Sequence, residues 1–214
     1  TTAPSSPLAL PEYRLYWVAR FLATFASTAM VVVIGWQVYD TARGVYAMSI
    51  AQAALQLGLV GLAQFVPLAL LTPFAGLAAD RFERRTVARL ANCIDLVVAL
   101  LLGVLTATGS VTLPALFVLA AAHGSARAFT GPAMSAIAPN IVPPALLPRA
   151  IAMSSIAWQS ASVAGPAVGG LLYGVAAPLP YLFAAIAIVL AFFMLSVVSP
   201  VVPPPITGGD TPLR

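Results

Sequence analysis

The sequence predicts an all-α membrane protein with six transmembrane helices, and three observations support this fold class. Hydrophobic residues make up 61% of the 214 residues and charged residues only 7%, and the mean hydropathy of +0.99 lies outside the usual range of a soluble domain. Six apolar stretches each reach the roughly 20 residues that are needed to cross the hydrocarbon core of a bilayer. Short joints rich in turn-forming residues separate these stretches.

The six stretches follow one another along nearly the whole chain. The predicted spans are 15–38, 48–78, 87–108, 113–138, 150–175 and 181–198. We therefore expect a cytoplasmic N-terminal segment at 1–14, a six-helix bundle at 15–199 and a disordered cytoplasmic tail at 200–214, where proline and glycine are frequent. Residues 1–11 lack the basic region and apolar core of a cleavable signal peptide, so we expect the first span to be retained.

The arginines indicate the orientation in the membrane. The 10 basic residues are all arginines, in a chain of net charge +4. If six helices alternate in direction, one side of the membrane carries Arg14, Arg81, Arg84, Arg85, Arg89, Arg149 and Arg214. Arg43 lies on the other side. The positive-inside rule then predicts a multi-pass protein of the cell membrane with both termini in the cytoplasm. Because the charge is spread over short loops, we expect no nucleic-acid partner.

The densest run of charge joins the second and third spans and predicts a tight turn. It reads Gly-Leu-Ala-Ala-Asp-Arg-Phe-Glu-Arg-Arg at 76–85. This run resembles the loop between helices 2 and 3 of the major facilitator superfamily, with matches at Gly76, Asp80, Arg81, Arg84 and Arg85. The resemblance implies that these residues form a cytoplasmic gate, in which the aspartate bonds to arginines and to a helix end of the opposite half. The alternative is that the cluster only fixes the topology.

Two further motifs resemble the same superfamily. Arg127 and Gly131 are similar to its R-x-x-x-G pattern in helix 4. The fifth span matches the G-P-x-x-G-G pattern associated with exporters, at Gly165, Pro166, Gly169 and Gly170. Such small side chains let another backbone approach closely. That backbone belongs either to a second half of a transporter or to a packing seam within the same bundle.

The resemblance covers the whole chain and is closest to the branch of enterobactin-exporter-like and drug efflux proteins. It corresponds, however, to one half of the fold, since members of the superfamily pack two six-helix halves around a central pathway. The resemblance thus implies one six-helix half of a major facilitator fold. A second six-helix half is implied as its partner, most simply an identical copy in a homodimer.

Four ionisable side chains, Arg20 among them, lie about five residues or more inside the predicted spans, where charge is costly. They are Arg20, Asp95, His123 and Arg127. Helical rise places Asp95 and Arg127 at similar depth, which predicts a buried pair with either a structural or a transport role. His123 shares a helix face with Arg127 at i, i+4 and is either a substrate or proton ligand or a core histidine. Arg20 faces either the membrane surface or a cavity. Two arginines against one carboxylate favour either an anionic substrate or a carboxylate donated by a partner.

Sequence motifs give no support for an enzyme. The chain has no G-x-x-x-x-G-K-[ST] loop for ATP, no H-E-x-x-H motif, no Cys/His cluster and no convincing Ser/His/Asp set. We therefore expect no catalytic residues, no cofactor and no metal site.

The predicted function is secondary active transport in the lipid bilayer. The resemblance implies efflux of small amphipathic or anionic molecules, such as siderophores or drugs, by alternating access in a homodimer of half-transporters. One alternative is a non-transporting membrane interaction or assembly protein, which the departures from the family pattern at Ala78, Glu83 and Asn140 support. The other is an N-terminal fragment of a twelve-helix exporter.

Overall fold

The computed structural model describes residues 6–199, apart from the side chains of Ala79 and Asp80, and this part of the chain is almost entirely helical. The long helices are α1 (Pro11–Gly44), α2 (Ile50–Arg81), α3 (Arg84–Ala107), α4 (Leu113–Ile137), α5 (Leu147–Val175) and α6 (Leu179–Val197). Short 3₁₀ turns at Pro7–Ala9, Ala138–Asn140 and Pro144–Leu146 precede α1 and α5. The predicted all-α fold with six helices is confirmed, whereas the tail predicted at 200–214 lies outside the described residues.

Four stretches in these helices are long and apolar enough to cross a membrane by their own length and composition. They are Pro11–Gly44, Ile50–Ala78, Arg84–Ala107 and Leu179–Val197. Helices α4 and α5 have 25 and 29 residues, which at about 1.5 Å per residue is enough to cross a core of about 30 Å. Their sequences are richer in alanine, glycine and serine than the other four, so their apolar character is weaker.

Helix α1 is longer than the sequence predicted. The joint expected between the spans 15–38 and 48–78 is helical as far as Gly44, and it contains no proline that would end the helix earlier. The chain then turns between α1 and α2, where the Arg43 Nη1 donates to the Met48 carbonyl at 2.6 Å. Ser49 starts α2 with a capping box: its Oγ accepts from the Gln52 amide, and the Gln52 Oε1 accepts from the Ser49 amide. The turn between α2 and α3 is tight, as predicted, because only residues 82–83 separate them.

The helices pack so that α1 and α4 are central. Helix α1 packs against α5, α6 and α2, while α4 packs against α2 and α3, and α3 also contacts α6. Tyrosine and tryptophan side chains tie α1 to the start of α5: the Tyr13 hydroxyl donates to the Ala150 carbonyl at 2.5 Å, and the Trp17 Nε1 donates to the Met153 carbonyl at 2.8 Å. The start of α1, the α2–α3 turn, the α4–α5 joint and the end of α6 therefore share one end of the bundle. We call it the arginine-rich end.

The glycine motif of α5 is divided between a packing seam and an outward face. A Cβ added at Gly165 would lie 2.6 Å from the Phe25 carbonyl oxygen, and one at Gly169 would lie 3.0 Å from the Ala29 Cβ. These two glycines therefore bring α5 against α1 within the same chain, which is the packing-seam alternative. Gly170 has open space around it and lies on the outward face. Pro166 lies within the helix, and its side chain is half-buried.

Candidate functional site

A polar cavity of about 300 Å³ lies against α1 and α4 and is flanked by α2 and α5. Helices α3 and α6 contribute no residue to its lining. The wall consists of Arg20, Ala23, Thr24, Ser27, Thr28, Leu68, Arg127, Thr130, Gly131, Met134, Ser135 and Trp158. Two of the four intramembrane ionisable residues predicted from the sequence, Arg20 and Arg127, thus meet at one cavity, while Asp95 and His123 do not line it.

Arg20 faces this cavity, which decides between the two orientations expected from the sequence. Its Nη1 donates to the Tyr16 hydroxyl at 3.2 Å, and its Nη2 donates to the Ser135 Oγ at 3.3 Å. Tyr16 is fully buried, and its hydroxyl also bonds to the Met134 carbonyl at 3.0 Å and to the Ser154 Oγ at 2.8 Å. The guanidinium of Arg20 is therefore fixed by groups from α1 and α4, and it retains donor capacity toward the cavity.

Arg127 reaches the same cavity from α4, about four turns from the start of that helix. In the described part of the chain it forms no ion pair with Asp95, although the Asp95 carboxylate is close enough to act on it electrostatically. The direct Arg127–Asp95 pair suggested by equal depth is therefore not formed. Helical rise gives the depth of a residue in the membrane but not the direction in which its side chain points around the helix axis. It therefore could not identify the partner of Asp95.

Asp95 is instead paired with His123. The His123 Nδ1 lies 2.9 Å from the Asp95 Oδ1, and the two residues are 0% and 3% exposed. Since a carboxylate only accepts hydrogen bonds, Nδ1 carries the proton in this contact. The Nε2 atom of His123 is buried without a partner among the described residues. The pair joins α3 to α4 one turn of α4 away from Arg127.

Hydroxyl and apolar side chains complete the cavity, and the sequence did not single most of them out. Thr24 and Thr28 follow Arg20 at successive i+4 positions, and Gly131 and Ser135 follow Arg127 in the same way. This shared spacing places each series on the helix face of its arginine and could have indicated the cavity lining. It was not decisive, because hydroxyl groups in membrane helices usually bond to their own backbone. The Thr28 Oγ1 does so at 2.9 Å from the Thr24 carbonyl.

One wall of the cavity is aromatic. Trp158 of α5 lines the cavity while 49% of its side chain remains exposed. Leu68 and Met134 add apolar surface beside it. With two guanidinium groups on the other side, the cavity suits a molecule that has both an apolar part and an anionic group.

The gate-like motif lies at the arginine-rich end and contributes no residue to the cavity lining. Gly76 has open space around it, Arg81 is exposed, and the side chain of Asp80 lies outside the described residues. The Arg84 Nη1 donates to the Ala136 carbonyl at 3.2 Å and so links α3 to the end of α4.

Arg85 links α3 to α6 at the same end. Its Nη1 donates to the Val198 carbonyl at the end of α6, a favourable position for a cation because helix C-termini carry negative partial charge. Its Nε also lies 2.9 Å from the Glu83 Oε1, but the N–H does not point at that oxygen, so the contact is an ion pair without a hydrogen bond. The arginines of this motif thus hold the ends of three helices together.

The described residues contain no group of three His, Cys, Asp or Glu side chains that could hold a metal ion. Arginine donors, hydroxyl groups and one aromatic ring inside a bundle of membrane-spanning helices instead define the class of protein: a transporter-like helical bundle with an intramembrane polar site.

The chain belongs to the transmembrane secretion effector family of the major facilitator superfamily, whose family model matches residues 2–205. The predicted superfamily is thereby confirmed. Among solved structures, it is similar to a bacterial homologue of the iron transporter ferroportin, crystallised in an outward-facing state with soaked iron, with 21% identity and a TM-score of 0.60. The match covers 86% of this chain and 48% of that one, so this chain spans about half the length of that transporter. At this identity the likeness shows the fold alone. A comparison with curated proteins finds no match.

Proposed function

We propose that this protein is one half of a secondary active transporter that exports small amphipathic anions by alternating access. The observation that carries the proposal is the cavity between α1 and α4, where Arg20 and Arg127 both lie on the wall. Membership of a secretion effector family supports transport in the outward direction. The protein is proposed to act in the cell membrane and not as an enzyme.

The charge in the cavity selects the class of substrate. Each guanidinium has donors that can bond bidentately to a carboxylate, sulfonate or phosphate group. Asp95 is the one carboxylate in the interior of a predicted span, and it is buried, bonded to His123 and absent from the cavity lining. A positively charged molecule would meet two like charges and no accessible acid, so cations are excluded from the proposed substrates.

A free metal cation is also outside the proposed substrate class. The ferroportin homologue was crystallised with soaked iron, but the cavity of this chain presents arginines, and the described residues offer no cluster of metal ligands. A metal bound by an anionic organic ligand, as in a siderophore complex, stays within the proposed class. Such a complex carries the negative charge and the apolar surface that suit the cavity.

The partner is a second six-helix half, which we take to be an identical copy. Leu68 of α2 and Trp158 of α5 flank the cavity, and 49% of Trp158 is exposed. A second bundle that closes this side must contact both helices. In a homodimer with a two-fold axis through the cavity, α2 of each copy packs against α5 of the other. Exposed apolar residues such as Phe65 on α2 and Val163 on α5, at 60% and 69% exposure, are available for that contact.

The arginine-rich end is proposed to face the cytoplasm and to form the inner gate. Its arginines follow the positive-inside rule, and Arg84 and Arg85 already bond to helix ends there. Charge-assisted bonds of about 1.5 to 3 kcal/mol each can hold the gate closed and still break in every cycle. Both termini of the chain lie in the cytoplasm in this orientation.

Exchange across a bilayer tests the proposed function. Proteoliposomes loaded with unlabelled naphthalene-2-sulfonate should take up the labelled anion by exchange at least severalfold faster than protein-free liposomes. The matched cation, 2-naphthyltrimethylammonium, should not exchange, because it meets the charge of Arg20 and Arg127. Rates equal to those of protein-free liposomes for both probes would contradict transport of this class and favour the alternative of a non-transporting interaction protein.

A further inference from the structure

One turn of α4 away from the cavity residue Arg127, an acid–imidazole pair is sealed from solvent. Asp95 on α3 and His123 on α4 are 3% and 0% exposed, and their side chains meet at 2.9 Å. A buried charge of this kind is costly and is retained only where another interaction compensates it. The hydrogen bond from His123 provides part of that compensation and fixes the carboxylate in one place.

The pair shares a helix face with the cavity arginine. His123 and Arg127 are four residues apart on α4, so their side chains lie one turn apart on the same face. The charged groups that face the pair are therefore Asp95 itself from α3 and Arg127 from α4. Helix α2 contributes the buried but uncharged Gln64 at this level. Arg20 of α1 bonds to α4 at Ser135, which lies about 18 Å along that helix from His123 by its rise.

The consequence is that the negative charge of Asp95 partly cancels the positive field of Arg127 in the cavity. An anion bound to the guanidinium is attracted by Arg127 and repelled by Asp95. A transport site has to bind its substrate strongly enough to take it up on one side of the membrane and weakly enough to release it on the other. Two arginines without a counter-charge would favour loading at the expense of release.

We propose that Asp95, oriented by His123, is a positioning residue that weakens the binding of the transported anion at Arg127 and thereby allows its release in each cycle. This inference rests on the proposed function, because it assumes that an anion occupies the cavity. Two like charges about 10 Å apart at an effective dielectric constant of about 20 weaken binding on the order of tenfold.

The test is the affinity of Asp95→Asn for a permanent anion. The asparagine oxygen can still accept the hydrogen bond from His123, so the substitution removes charge and little else. We expect naphthalene-2-sulfonate to bind the variant in lipid nanodiscs about tenfold more tightly than the wild type, measured by titration calorimetry, and to exchange more slowly. Asn92→Ala is the matched control, since Asn92 is buried one turn away on α3 and carries no charge. Its anion affinity should be unchanged.

A second measurement needs no substitution at Asp95. His123 is the single histidine of the chain, so ¹⁵N-labelled histidine gives NMR signals from this site alone. Adding naphthalene-2-sulfonate should shift the ring signals of the wild type, although His123 does not line the cavity, and should leave them unchanged in Arg127→Gln. A purely structural pair would show no such response.

The outcomes separate the two proposals. Anion binding that depends on Arg127, together with unchanged or weaker affinity in Asp95→Asn and unresponsive histidine signals, would overturn the role of Asp95 and leave the proposed function intact. No binding by the wild type or by Asp95→Asn would overturn both.

Discussion

Gly124→Ala is expected to prevent the normal packing of α2 on α4. A Cβ at position 124 would lie 2.1 Å from the carbonyl oxygen of Gln64 and 2.8 Å from its carbonyl carbon. These are backbone atoms inside a helix, so they cannot rotate away as a side-chain end could. The two helices would have to separate, which disturbs the buried Gln64 and the neighbouring His123. Overpacking of this kind costs about 1 to 3 kcal/mol or more.

The matched control for this substitution lies on the same helix. A Cβ at Gly131 would meet no atom within 4 Å, so Gly131→Ala should keep the fold and gain up to about 1 kcal/mol from the better helix propensity of alanine. The melting temperature of each variant is measured in detergent, by heating samples and quantifying the remaining folded protein by size-exclusion chromatography. A Gly124→Ala protein that melts with the wild type would contradict the close contact between α2 and α4.

Arg127→Gln is expected to remove most of the anion affinity of the cavity. Arg127 lines the cavity and, in the described part of the chain, forms no ion pair that would occupy its guanidinium. A charge-assisted bond to the substrate is worth about 1.5 to 3 kcal/mol, which corresponds to a loss of affinity on the order of 10- to 100-fold. Arg20→Gln should cause a smaller loss, because Arg20 already shares its donors with Tyr16 and Ser135.

The control for charge is Arg14→Gln. Arg14 lies on α1 but is exposed and outside the cavity lining, so its loss changes the net charge equally without removing a ligand contact. Titration calorimetry with naphthalene-2-sulfonate in nanodiscs compares the three variants. Equal affinity in Arg127→Gln and Arg14→Gln would show that the anion does not bind at this cavity.

The positions of the helices were predictable because membrane spans need long apolar stretches and the joints carry turn residues. The predicted start of α4 at 113 and end of α5 at 175 coincide with the structure. The main difference is α1, which includes residues 40–44 as helix. A helix can continue past the membrane surface through charged residues. Composition therefore predicts where the chain leaves the membrane, but not where the helix ends.

The site was predicted less completely than the fold. The residue types that are costly in a membrane, Arg20 and Arg127, were recognised and do meet at a cavity. The partner of Asp95 was missed, because lateral contacts depend on how α3 and α4 are rotated against each other. Likewise, the small side chains at Gly165 and Gly169 indicated close packing but not whether the opposing backbone belonged to the same chain.

The most direct test of a half-transporter is whether α2 of one copy lies against α5 of another. Two variants in a Cys93→Ser background, which removes the single native cysteine, provide the probes: Phe65→Cys on α2, one turn from Leu68, and Ser162→Cys on α5, one turn from Trp158. Both positions lie at a similar distance from the arginine-rich end.

The two variants are co-expressed with different tags and treated with a short thiol crosslinker in membranes. If two copies enclose the cavity as proposed, the two variants should crosslink to each other. Leu100→Cys, on α3 outside the cavity lining, should not crosslink to either. A protein that forms no such crosslink and has the mass of a monomer in detergent, yet still exchanges the anion, would contradict the homodimer.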